Sequence, residues 1–361
     1  MMIGVMSALL AACGASDNDQ DDDAEQRGSS DGVAAAKADL ATFEKQPTSI
    51  TVTDPVSKPI PTGKKIYMVS CGLSTCETVG KALVDAAKVL GWEMTVLTTD
   101  GTPAQIQNAY QQAVRDKPDG LVVVGTDPTQ IAPYLKQLQD DGTAVVGLSI
   151  PKATNGILWV GNGETEYSGF GRQMAAFAVA DAADKGLDEV STLVTTVSDF
   201  PVLVATADGF EEGMKQYCPK CSVDVVSIGA ASISAAPETV VSYLRSHPDV
   251  KYMAVSGAAV WDSATKAIKS AGLDVTIIGS TPTETTLADM KAGDVAAATA
   301  YPQLEAPLSA LDALARHFVG DDIPDSKMPQ WIITEDTIPT GAYPYAVVPG
   351  YLEQYRALWG K

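Results

Sequence analysis

Few residues of this chain could do covalent chemistry, and most of them are cysteines. There are five. Cys71 and Cys76 bracket a short loop, Cys218-Pro219-Lys220-Cys221 forms a CxxC step, and Cys13 stands alone after an apolar run. Close pairs can make local disulfides, a redox CxxC, or a tetrahedral zinc site if all four thiolates meet. A redox pair normally follows a strand and sits at a helix N-terminus, where the dipole lowers the thiol pKa. Cys218 instead follows a predicted helix, and zinc would need two distant pairs to converge. No Gly-x-Ser-x-Gly elbow with an available His occurs: His247 sits in a Ser-His-Pro-Asp turn and His317 on a predicted helix. Gly161-x-Gly163 lacks the third glycine of a dinucleotide fingerprint, and no GxxxxGK[ST] loop occurs. Asp127 and Asp262 lie at strand or loop ends, where helix capping accounts for a carboxylate. The residues predict a binder and not an enzyme, with no cofactor and no metal.

Charge narrows the partners. The net charge of −20, from 25 Lys+Arg against 45 Asp+Glu, argues against nucleic acid and against a polybasic membrane patch. Residues 1–12, MMIGVMSALLAA, are apolar but fall short of the ~20 residues a spanning helix takes. They fit the hydrophobic part of an export signal, without a preceding Lys/Arg stretch. Leu10-Ala11-Ala12-Cys13 resembles the bacterial lipobox, which implies acylation of Cys13 and a lipid anchor on the outer face of the cell membrane. Residues 14–30 are acidic and nearly free of apolar side chains, so a disordered spacer is expected. A short helix at 32–44 and an extended lead-in at 46–63 follow. With Cys13 acylated, four cysteines remain, and in an exported setting two disulfides, Cys71–Cys76 and Cys218–Cys221, complete the count.

The elements that must position any site begin at Lys64. A buried strand at 65–70, the Cys71–Cys76 loop and an amphipathic helix at 77–90 form a unit that the chain then repeats. Strands are expected at 93–97, 120–124, 144–148, 157–160, 191–197, 222–228, 252–256, 275–279, 296–300 and 330–334, with helices between nearly all of them. Alternation of this kind means parallel sheets with right-handed crossovers. So many strands suit two sheets of about five or six, with a boundary near Asn162-Gly163.

Ordered short patterns then carry a resemblance. They are Leu90-Gly91-Trp92, DGLVVVGTDP at 119–128, DGTAVVGLS at 141–149, DGFEEGMK at 208–215, SHPDVKYMAVSG at 246–257, DVTIIGSTP at 274–282 and MKAGDVAAATAYPQLEAP at 290–307. Together, over 64–334, the chain resembles the type I periplasmic solute-binding proteins of ABC importers, the ribose/galactose-binding group. The resemblance implies two Rossmann-like parallel-sheet lobes joined by a three-segment hinge. The first would take 63–162 and 300–330, the second 163–299 and 331–361, with 1–12 as signal peptide and 13–62 as anchor, linker and lead-in. It implies a monomer that binds a sugar or sugar-like small molecule between its lobes and delivers it to a membrane permease. A receptor of the same fold coupled to a membrane kinase or chemoreceptor is the alternative.

Strand carboxyl ends of both lobes face the cleft in such a fold. By position the ligand-facing candidates are Leu73, Ser74, Thr126, Ser149 and Asn162, with Gly125, in the first lobe and its crossover. In the second they are Phe200, Thr206, Trp261, Thr281 and, at the second crossover, Tyr301, with Gly257. Sugar-binding relatives place Asn, Asp, Arg and Gln at these points; here Leu73, Ser149, Thr206, Thr281 and Tyr301 stand instead. The expectation is a neutral, less hydroxylated ligand, or one stacked on Trp261, Tyr301, Phe200 or Trp159.

Overall fold

A computed structural model of the chain describes residues 19–152, 155–341 and 343–361, with backbone alone for 19–29. The signal segment and Cys13 lie outside the described residues. The first half runs α1 (Asp19–Ala41), β1 (Lys65–Val69), α2 (Ser74–Leu90), β2 (Glu93–Leu97), α3 (Pro103–Asp116), β3 (Gly120–Val124), α4 (Ala132–Asp140) and β4 (Ala144–Leu148). Its strands form a parallel sheet in the order β2-β1-β3-β4. β3 and β4 are buried along their whole length, the mark of a sheet covered on both faces. Val122, Val124, Val146 and Leu148 join Met68 and Leu83 in one core, whereas Leu121, Val123 and Val145 join Tyr110 and Leu135 in another. The period-2 alternation of a strand thus feeds two cores from one apolar run.

The second half continues with α5 (Glu164–Asp184), β5 (Ser191–Val197), α6 (Pro201–Tyr217), β6 (Ser222–Ile228), α7 (Ala236–Ser246), β7 (Val250–Val255), α8 (Ala258–Ser270), β8 (Thr276–Ser280), α9 (Glu284–Lys291) and β9 (Ala297–Thr299). α10 (Glu305–Val319), β10 (Ile332–Thr334) and α11 (Tyr351–Trp359) complete the chain. The second sheet has the order β10-β9-β8-β7-β5-β6, parallel except for β10 against β9. The first sheet has four strands, fewer than the five or six expected. The stretch at 157–160 contributes only a bridge from Leu158 to Val146, because the chain turns away at Gly161 toward the second lobe.

Three crossovers join the lobes: after β4, after β9, and after α10, which packs on α2 and β4 in the first lobe. Two further passes flank them. α1 docks on the second lobe, burying Ala36 and Leu40 with Met174, Phe210 and Tyr217, and Lys37 bonds Asp184 at 2.5 Å. That helix covers residues 19–30 of the segment expected to be disordered. The lead-in then passes to the first lobe, where Val56 N–H bonds Leu358 O at 2.9 Å and Trp92 Nε1 bonds Pro61 O at 2.7 Å. The stretch 331–361, expected whole in the second lobe, divides. β10 stays there, but α11 returns to α10, where Trp359 Nε1 donates to Asp312 Oδ1 at 2.9 Å. Among the described residues no helix is long and apolar enough to cross a membrane.

Candidate functional site between the lobes

β1 ends at Val69, and the chain must turn at once into α2. Gly72 makes that turn at φ 84°, pressed so close to the next loop that a Cβ would lie 2.3 Å from Gly101 N. The Cys71–Cys76 disulfide closes the loop, with Cα atoms 5.8 Å apart. Leu73 is the N-cap of α2, without a side-chain cap, so its side chain is free to face the cleft. Across the cleft Phe200 caps α6, Val202 and Leu203 form its first turn, and Ala258 and Ala259 open α8. Between these walls lies a cavity of about 60 Å³, room for a few water molecules at about 10–15 Å³ each.

The two lobes present matching corners. Ser149 follows β4 and Thr281 follows β8; both have left-handed backbones, at φ 55° and 61°. Ser149 N–H bonds Asn162 O at 3.0 Å, and Thr281 N–H bonds Thr299 O at 2.9 Å. A non-glycine residue in this region costs roughly 1–2 kcal/mol, so the surroundings hold both in place. Ser149 anchors a hydroxyl cluster. Tyr167 OH donates to Ser149 Oγ at 2.9 Å, Tyr301 OH lies 2.9 Å from the same oxygen, and Ser149 Oγ donates to Asn162 Oδ1 at 3.3 Å. Burial raises the pKa of both tyrosines, so they stay protonated. One turn past Tyr301, Glu305 is buried; its Oε1 accepts the Val348 N–H at 2.6 Å, its Oε2 has no partner, and burial pushes its pKa up to about 7.

Of the residues named from sequence, Leu73, Ser149, Phe200, Thr281 and Tyr301 line the cavity, as do Gly125 and Gly257. Asn162 stands behind them, holding the cluster. Four others do not reach it. Ser74 is the first residue of α2, exposed, and is not among the lining residues. Thr126 bonds back to Val124 O and meets Tyr110. Thr206 is spent on Val202 O within α6 at 3.0 Å. Trp261 is wholly buried, filling the space over Gly279, where a Cβ would lie 2.9 Å from its ring. Trp159 lies outside the cavity with Lys152 Nζ 5.7 Å from its ring centre. The cavity adds residues that strand-end reasoning missed, chiefly Tyr167, Val79 and Leu203. Each lies in an early turn of a helix that starts at the cleft, and that position was the available signal.

The remaining chemical candidates have structural partners. Asp127 accepts from Thr129 N and Oγ1, and Asp262 accepts from Thr283 and Thr286 hydroxyls at the start of α9. Cys218 and Cys221 form the second disulfide, at the end of α6. No group of three metal-ligating side chains occurs among the described residues.

The family model described as the periplasmic binding protein domain matches residues 67–322. The chain belongs to that family. It has the type I periplasmic binding protein architecture, two lobes with parallel sheets around an interlobe cleft. No curated protein matches it in sequence. Among solved structures it is similar to GanP, a glucose-galactose binding protein from Geobacillus stearothermophilus, at 19% identity, over 77% of this chain and 100% of that one, with a TM-score of 0.67. It is also similar to an ABC transporter solute-binding protein from Agrobacterium vitis with bound allitol, at 19% identity, 77% and 97% coverage and TM-score 0.67. A third is a 5-methylthioribose transporter solute-binding protein from Thermotoga lettingae, at 17% identity, 85% and 99% coverage and TM-score 0.69. Likeness at these identities is a likeness of fold.

Proposed function

We propose that this protein is the extracytoplasmic solute-binding component of an ABC importer, taking up a sugar or sugar-like small molecule and presenting it to the permease. The observation that carries this reading is the interlobe cavity, walled by strand ends and helix starts of both lobes, so that a ligand there bridges the lobes and favours their closure. The similar structures named above bind or transport sugars and polyols, which supports the ligand class. The protein binds and does not catalyse: the carboxylates and thiols of the chemical inventory are engaged in caps and disulfides. Leu10-Ala11-Ala12-Cys13 supports tethering through an acylated Cys13, and the protein acts as a monomer.

The test is a thermal-shift screen across sugars, polyols, aromatics and nucleosides, followed by small-angle scattering. A ligand at 100 times its Kd raises stability by ~2.7 kcal/mol and, in this reading, contracts the particle. A ligand that stabilises without any contraction refutes the closure part; genes for a permease and ATPase beside this one support transport, and a kinase gene there overturns it.

A further inference from the structure

We infer that the ligand is neutral and apolar-bodied, with only one or two hydroxyl or carbonyl groups: a deoxy-, alkyl- or aryl-substituted sugar or a compound of like polarity, and not a free pentose or hexose. The inference rests on the binding-protein reading and specifies its ligand.

The cavity's polar capacity decides the matter. Among the described residues, none of its lining side chains is charged and none carries an amide. A charged ligand would be buried there without a counter-charge, and a free sugar would lack the bidentate partners that vicinal hydroxyls need. Among the described residues hydroxyls supply the only polar side chains of the lining, and three of these five, on Ser149, Tyr167 and Tyr301, are already bound to one another. Asn162 Oδ1 can only accept, so Ser149 donates to it; Ser149 Oγ then accepts from Tyr167 and Tyr301. Every hydroxyl proton of the cluster is used, and the tyrosine oxygens offer lone pairs alone, that of Tyr301 already facing Asn162 Nδ2 at 3.5 Å. The hydroxyls left to donate to a ligand are those of Thr75 and Thr281. Against them stand the Cys71–Cys76 disulfide, Leu73 and Val79 on one wall and Phe200 and Leu203 on the other. Each ligand hydroxyl buried here beyond what these two hydroxyls and the backbone N–H groups opening α2, α6 and α8 can pair weakens binding by about 10- to 100-fold.

The test is calorimetric titration of the purified full chain with D-ribose, D-galactose, methyl 2-deoxy-D-riboside, cyclohexane-1,2-diol and benzyl alcohol. The hydroxyl-poor compounds are expected to bind at least 10-fold tighter than the free sugars. Leu203→Asn, which adds an amide to the apolar wall, is expected to narrow that gap 10-fold or more, with circular dichroism confirming its fold. Tighter binding of either free sugar overturns the inference, as does failure of every hydroxyl-poor compound to bind. Scattering in the presence of concentrated culture-medium extract separates the two readings. Contraction with extract but with none of the hydroxyl-poor probes leaves the binding-protein reading standing and removes this one; no contraction and no binding removes both.

Discussion

The two disulfides make an internal control, because one walls the cavity and the other does not. Cys71–Cys76 closes a loop at a sequence separation of 5, and Cys218–Cys221 one at a separation of 3. Loop-closure entropy for rings this small predicts about 2 kcal/mol for each. The double variants Cys71→Ala/Cys76→Ala and Cys218→Ala/Cys221→Ala should therefore lose similar stability, read as the shift in urea midpoint at constant slope. Their effects on binding should differ. Freeing the first loop releases Leu73 and Thr75, which would have to be ordered again on binding at ~0.5–1.5 kcal/mol per side chain. Affinity for the tightest compound of the screen should fall about 10-fold or more in the first variant and stay within twofold in the second. Calorimetry measures both. Equal losses of affinity in the two variants, or an unchanged affinity in the first despite its lost stability, would refute the loop's role as a preorganised wall.

Three further outcomes follow from the geometry. Glu305 has a raised pKa of about 7 in the folded chain. The unfolded chain releases this proton near pH 4.5, so Glu305's contribution to folding stability is full below that pH and falls by about 3 kcal/mol as pH rises through 7. Glu305→Gln should remove that part of the slope in urea midpoints taken from pH 4.5 to 8, and identical slopes would count against the assignment. Thr281→Gly relieves a left-handed backbone at φ 61° and should raise stability by ~1 kcal/mol while weakening ligand binding, since it deletes one of the two free hydroxyls. A lower melting temperature would contradict the strain argument. Gly72→Ala places a Cβ 2.3 Å from Gly101 N at a positive φ; a loss of more than ~2 kcal/mol in denaturant unfolding is expected, and a neutral result would show that the loop yields.

What could be read from the sequence, and what could not, divides along the geometry of strands and helices. β3 and β4 are unbroken apolar runs, so their extent and burial were legible, and with them the corners that follow. Ser149 and Thr281 were placed because a strand end is fixed by the sheet, whatever the side chain. Thr206 and Trp261 were misplaced because they lie further along helices, where each residue turns about 100° from the last. α6 and α8 carry apolar or small residues around the cleft-side turn, so nothing in the spacing says which face meets the ligand; Val202, Leu203, Ala258 and Ala259 do, and Thr206 and Trp261 turn into the core. Tyr167 was missed for the same reason in reverse, its helix face being legible only once Ser149 was known to sit opposite. The docking of α1 and α11 was illegible for a different reason: it depends on surfaces far away in the chain, Tyr217 and Asp312 among them, which local patterns do not encode. The corners that sequence could place are thus the ones the backbone fixes, and of the lining hydroxyls it named Ser149, Thr281 and Tyr301 but not Thr75 and Tyr167. The family was readable from short motifs and a less hydroxylated ligand was already expected from the strand ends, while which hydroxyls remain free to bind it is read only from the assembled walls.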